Sequence, residues 1–208
     1  MTQQGLPDLL RAARIIPVLT IADAAQAVPL ARALVAGGIR TLEITLRTAA
    51  GADAAAAIMA EVPDAIVGLG TVLTPDDLAR AESLGVAFAV SPGSPPALLA
   101  AAAASRIPFM PGIATASEAM AAIAAGFPCM KLFPARELGG LAALRALAGP
   151  FPDARFCPTG GITAENAATY LAEPNVLAIG GSWLAPTPAV ASNDWPGITA
   201  RARQAASV

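Results

Sequence analysis

Lys131 is the only lysine in a chain of 208 residues that carries every other basic side chain as arginine and has no histidine. Proton transfer must then come from carboxylates, Lys131, Tyr170, cysteines or water. Imidazole-based zinc and iron sites are excluded. The lysine sits in the apolar stretch PCMKLFP. Strand alternation puts Cys129, Lys131 and Phe133 on one face and Met130 and Leu132 on the other. On an inward face the ammonium form is disfavoured by lost hydration, and a nearby Arg47 would disfavour it further. A neutral amine there could attack a carbonyl and form an imine. The competing reading is a lysine that reaches the rim and pairs with an acid.

A second stretch, TLEITLRT, alternates in the same way. Leu42, Ile44 and Leu46 share one face, while Glu43, Thr45 and Arg47 share the other. A buried acid and guanidinium need partners. Either they form an internal ion pair, or Arg47 grips a substrate carboxylate through its two-pronged geometry while Glu43 moves protons. Two further segments end in small residues: PTGGI with Gly160 and Gly161, and IGGSW with Gly180, Gly181 and Ser182. Glycine turns that aim peptide N–H groups at one point bind phosphate, and barrels often place such a site after strands seven and eight. Each Gly-Gly pair alone could be only a turn. The ends of GLGTVL with Thr71 and AVSPG with Pro92 and Gly93 read as more pocket wall or as simple turns.

These residues need a scaffold that gathers strand ends. Strand candidates begin near Ile15, Ile39, Ile66, Val86, Ile107, Pro128, Arg155 and Leu177, roughly 23 residues apart, a short βα repeat. Helical segments fill 24–36, 52–60, 75–83, 95–104, 117–125, 141–148, 164–171 and 194–205. Thr74 before Pro75, and Thr163 before Glu165, read as helix starts. Gly37, Gly85 and Gly126 read as left-handed helix ends. Alternating β and α elements imply a parallel sheet. Eight units imply an α/β closed (β/α)8 TIM barrel, one domain over residues 1–208, with an open doubly wound sheet as the alternative. No Gly-x-Gly-x-x-Gly follows the first strand, which argues against a dinucleotide site.

Composition narrows the function classes. The chain is 55% hydrophobic and 13% charged, with a formal net charge of −2. It has no basic stripe for nucleic acid and no apolar run that would span a membrane. Asp8, Arg11 and Arg14 interrupt the first apolar stretch, which does not read as a signal peptide. Cys129 and Cys157 lie in apolar segments and read as reduced core residues of a cytoplasmic protein.

The stretches TLEITLRT, GLGTVL, SPG, PFMPGIAT, MKLFPA, RFCPTGGI and IGGSWL closely resemble the class I 2-keto-3-deoxy-6-phosphogluconate (KDPG) aldolases, some of which also act as 4-hydroxy-2-oxoglutarate aldolases. The resemblance runs in order from residue 15 to residue 184; the alanine-rich tail matches more loosely. It implies that Lys131 forms the Schiff base and that Glu43 is the general acid/base. Arg47 and Thr71 would hold the pyruvate portion, and Pro92, Phe133 and Thr159 would line the pocket. Gly160, Gly161, Gly181 and Ser182 would hold the phosphate. The implied substrate is a phosphorylated keto-deoxy sugar acid, cleaved to pyruvate and glyceraldehyde 3-phosphate; 4-hydroxy-2-oxoglutarate would give pyruvate and glyoxylate. The family implies a cytoplasmic homotrimer with no cofactor and no metal. A sister group that acts on the galactonate epimer carries an aliphatic residue in place of Thr159, so Thr159 favours the gluconate series. Two other readings stay open: a sugar-phosphate isomerase or epimerase that forms no imine, and a non-catalytic sugar-phosphate sensor.

Overall fold

The computed structural model describes residues 3–208, and strands alternate with helices along their length. The first half runs α1 (Leu6–Ala13), β1 (Ile15–Leu19), α2 (Ala27–Ala36), β2 (Thr41–Thr45), α3 (Gly51–Glu61), β3 (Ile66–Gly70), α4 (Pro75–Leu84), β4 (Phe88–Val90) and α5 (Pro96–Ala104). The second runs β5 (Phe109–Met110), β6 (Gly112–Ile113), α6 (Ala116–Ala124), β7 (Cys129–Leu132), α7 (Leu141–Ala148), β8 (Arg155–Phe156), α8 (Ala167–Leu171), β9 (Ile179–Gly181), α9 (Thr187–Ala191) and α10 (Trp195–Ala206).

All strand pairs are parallel. One sheet has the order β5-β4-β3-β2-β1-β9 and the other β6-β7-β8. The result is an α/β fold with a curled parallel sheet. The fifth expected strand is split at Pro111, which has no N–H for a ladder. Its two halves face different neighbours: Val90 pairs with Met110, and Gly112 with Lys131. Single bridges, Phe156 to Val176 and Thr159 to Gly180, run between the last two strand regions.

Side chains divide by strand face as alternation requires. Leu42, Ile44, Met130 and Leu132 join the core under the helices. Ile16, Phe88, Val90, Met110, Cys129 and Cys157 form a second cluster on the inner face. The amphipathic helix α1 adds Leu6, Leu9 and Leu10 to that inner cluster. Their i, i+3, i+4 spacing makes one apolar stripe, and burying each leucine contributes about 1.5–3 kcal/mol before conformational entropy is counted. Leu6–Ala13 is therefore a helix that packs onto the inner core, a role that its interrupted apolar pattern did not suggest.

Helix starts follow local chemistry. Thr74 and Asp77 form a reciprocal capping box at α4, with Pro75 in the first turn, and Thr115 and Glu118 do the same at α6. Two expected caps differ. The peptide N–H of Thr163 is held by Asn166 Oδ1, and α8 begins only at Ala167. Gly85 and Gly126 are left-handed, but Gly37 has φ −85° and the left-handed turn falls on Gly38. A Cβ on Gly37 would lie 2.4 Å from Ala202 Cβ, so this glycine serves the close approach of α2 to α10. The helix α9 was not expected either; it is a single short turn that follows Pro186.

Candidate active site

Glu43 and Lys131 come together from β2 and β7, 88 positions apart in sequence. Lys131 Nζ donates to Glu43 Oε1 at 3.0 Å and to Oε2 at 3.3 Å, and each side chain is only 3% exposed. The strands hold both groups rigidly: Val18 and Gly68 flank Glu43 in register, and the Lys131 peptide N–H donates to Pro111 O at 2.8 Å. The Phe133 ring lies 5.6 Å from the ammonium nitrogen, within reach of a cation–π contact. The lysine does pair with an acid, but it stays buried instead of reaching the rim. The partner of Glu43 is Lys131, not Arg47. A carboxylate that touches a buried amine through both oxygens can accept its proton and release it as a neutral nucleophile.

Burial pushes the Cys157 thiol up to about 12, with Lys131 opposing the rise and Glu43 adding to it. Burial likewise raises Cys129 to about 11, against the charges of Arg155 and Arg11. Both cysteines are free and buried, and thiols held this high are inert packing groups. Thr45, on the same face as Glu43, donates to Leu19 O at 2.9 Å and serves the structure.

Around Phe133 opens a cavity of about 120 Å³ lined by Val18, Arg47, Thr159, Gly160, Gly161, Ile162, Gly180, Gly181 and Ser182. Arg47 follows the end of β2 as an exposed residue. It also lines a larger outer cavity of about 640 Å³ together with Gln26, Ser182 and Trp183. Seven of the expected site residues, Arg47, Phe133, Thr159, Gly160, Gly161, Gly181 and Ser182, thus share one concavity. Lys131 and Glu43 are not among its lining residues; the link to it is Phe133, whose ring lies 5.6 Å from Lys131 Nζ. Thr71 and Pro92 stand at the ends of β3 and β4 and are not among its lining residues.

Backbone geometry explains several residue types here. Gly160 and Gly161 have φ of 102° and 72°, which only glycine adopts without strain. Thr71 has φ 59°, an outlier for a β-branched side chain; strain of this kind costs about 1–3 kcal/mol and collects at functional sites. Sequence reading missed Val18 and Ile162, whose apolar side chains sit among core residues without a distinguishing mark.

Among the described residues no helix is long and apolar enough to cross a membrane, and no cluster of three or more His, Cys, Asp or Glu could hold a metal.

Residues 6–201 match the family model described as KDPG and KHG aldolase. A 2-dehydro-3-deoxy-phosphogluconate aldolase from Pseudoalteromonas atlantica is 51% identical, covering 95% of this chain and 92% of its own. A KHG/KDPG aldolase from Escherichia coli is 50% identical, with 95% and 93% covered. The solved structure of a KDPG aldolase from Legionella pneumophila, with pyruvate captured as a covalent carbinolamine, is 42% identical with a TM-score of 0.92, over 95% of this chain and 96% of that one. The chain belongs to the KDPG and KHG aldolase family.

Proposed function

We propose that this chain is a class I aldolase, a lyase that cleaves 2-keto-3-deoxy-6-phosphogluconate to pyruvate and glyceraldehyde 3-phosphate. The observation that carries the proposal is the buried contact of Lys131 Nζ with both oxygens of Glu43, 5.6 Å from the Phe133 ring that lines a cavity walled by glycine loops. The KHG/KDPG name of a relative 50% identical supports a second activity, cleavage of 4-hydroxy-2-oxoglutarate to pyruvate and glyoxylate.

Glu43 takes a proton from Lys131, and the neutral amine attacks the C2 ketone to give a carbinolamine. Glu43 returns that proton to the departing hydroxyl, and loss of water leaves an iminium. Glu43, again a carboxylate, accepts the C4 hydroxyl proton as the C3–C4 bond breaks. The bonding electrons flow into the iminium, forming an enamine, and the aldehyde product leaves. Glu43 then protonates the enamine at C3, and water hydrolyses the iminium to release pyruvate and the free lysine. One carboxylate serves every proton step, which suits a chain without histidine. The iminium formed on the protein's own lysine is the electron sink, so this route calls for no cofactor and no metal.

In this reading Arg47 and Thr71 hold the pyruvate carboxylate, and Pro92, Phe133 and Thr159 shape the pocket. Gly160, Gly161, Gly181 and Ser182 receive the phosphate, which fits the shared cavity and the affinity of glycine turns for anions. Thr159 favours the gluconate over the galactonate epimer. We further read the fold as a closed eight-stranded barrel forming one domain over residues 1–208. The two bridges beside β8 and the shared strand at 109–113 support closure. A cytoplasmic homotrimer is the assembly that the family resemblance favours.

Borohydride with pyruvate should trap a covalent adduct on Lys131, and a coupled assay should detect pyruvate release from the gluconate-derived phosphate ahead of its galactonate epimer. Absence of the adduct, or full activity in Lys131→Ala, would refute the proposal.

A further inference from the structure

We infer that Gly70 is a positioning residue for Glu43: its missing side chain is the space in which the Glu43 carboxylate stands to reach Lys131. The inference rests on the acid–base role proposed for Glu43. In the β2–β3 ladder Glu43 lies opposite Gly68, and Thr45 opposite Gly70. Gly68 and Gly70 are two apart and share a strand face. A long side chain that leans along its strand reaches the diagonal neighbour, two residues on. Glu43 does this. An ideal Cβ on Gly70 would stand 2.2 Å from Glu43 Oε1, 2.6 Å from Cγ and 2.7 Å from Cδ, and these are its three nearest atoms.

Backbone conformation does not explain this glycine. Gly70 is absent from the glycines with positive φ, so an alanine would meet no left-handed penalty there. The three atoms that would crowd it most all belong to Glu43. Gly68 is a useful contrast: the nearest atoms to its added Cβ are all in the Phe88 ring, at 2.3 to 2.6 Å, and Phe88 belongs to the inner core. One strand therefore carries two glycines with different duties, one for packing and one for the carboxylate.

The crowded oxygen, Oε1, is also the one 3.0 Å from Lys131 Nζ. An added Cβ would push it about 1 Å to reach ordinary contact, and a misplacement of that size costs on the order of 100-fold in rate. Exchange of pyruvate methyl protons in D2O, followed by NMR, isolates proton transfer at C3. Borohydride trapping at equilibrium counts the imine separately. Gly70→Ala should slow exchange by about 10- to 100-fold while the trapped adduct stays within about threefold of wild type. Gly68→Ala should lower the Tm yet keep exchange per folded molecule close to wild type.

A thermal-unfolding cycle keeps the inference testable if Gly70→Ala folds poorly. Glu43→Ala deletes all three crowded atoms, so Gly70→Ala should cost Tm in the wild-type background and almost nothing beside Glu43→Ala. Wild-type exchange in Gly70→Ala, or an equal Tm loss in both backgrounds, would overturn the inference. Wild-type exchange in Glu43→Gln would instead remove the acid–base role, and the thermal cycle would still decide the Gly70–Glu43 contact.

Discussion

Lys131→Met isolates the energetic role of the buried pair. Methionine keeps a similar length and removes the charge, leaving Glu43, 2% exposed, without the ammonium that contacted it at 3.0 and 3.3 Å. Removing one partner of a buried ion pair costs about 3–5 kcal/mol, because the other charge remains desolvated and uncompensated. For a chain of this size, about 2–4 °C of Tm accompanies each kcal/mol, so the fall should be about 6–20 °C. Urea unfolding followed by far-ultraviolet circular dichroism at pH 8 measures the loss. Replacing both residues by methionine should recover most of the loss, since a well-packed apolar pair is often as stable as a buried ion pair. Wild-type stability of Lys131→Met at pH 8, or a double variant that loses the sum of the two single effects, would refute the reasoning.

Two other predictions address the cavity and the thiols. Ser182→Ala should lower kcat/KM by about 10- to 150-fold for the phosphorylated substrate, the worth of one hydrogen bond to a charged group; 4-hydroxy-2-oxoglutarate, which has no phosphate, should be little affected, and equal losses would remove Ser182 from phosphate binding. Cys129 and Cys157, raised to about 11 and about 12, should resist iodoacetamide at pH 8 in the folded protein and react only in urea, as mass spectrometry would detect; rapid labelling of the native protein would contradict their burial.

Much of the architecture was legible because strand alternation is strict. The faces read for Leu42 and Ile44 against Glu43 and Thr45, and for Met130 and Leu132 against Cys129 and Lys131, are those found. Where local pattern met tertiary demand, it failed. Leu6, Leu9 and Leu10 gain meaning only from the inner core that they cover. Gly37 does cap α2, but without the left-handed turn read for it, and its missing side chain answers to Ala202, 165 positions away. Pro111 splits a strand whose apolar composition read as continuous.

The site divides in the same way. Residue type alone determined the candidates: a lone lysine, no histidine, an inward acid, and glycine pairs at two strand ends. Those are choices of chemistry, and chemistry is carried by composition and local spacing. Which acid meets the lysine was a tertiary decision. Glu43 and Arg47 lie four residues apart and were the natural pair by sequence, yet the curl of the sheet brings β7 across to β2 and gives Glu43 to Lys131. The space for that meeting was equally invisible in the chain, since Gly70 matters only through a carboxylate on the neighbouring strand. Contacts between strands depend on register and sheet curvature, and both are set by packing of the whole core.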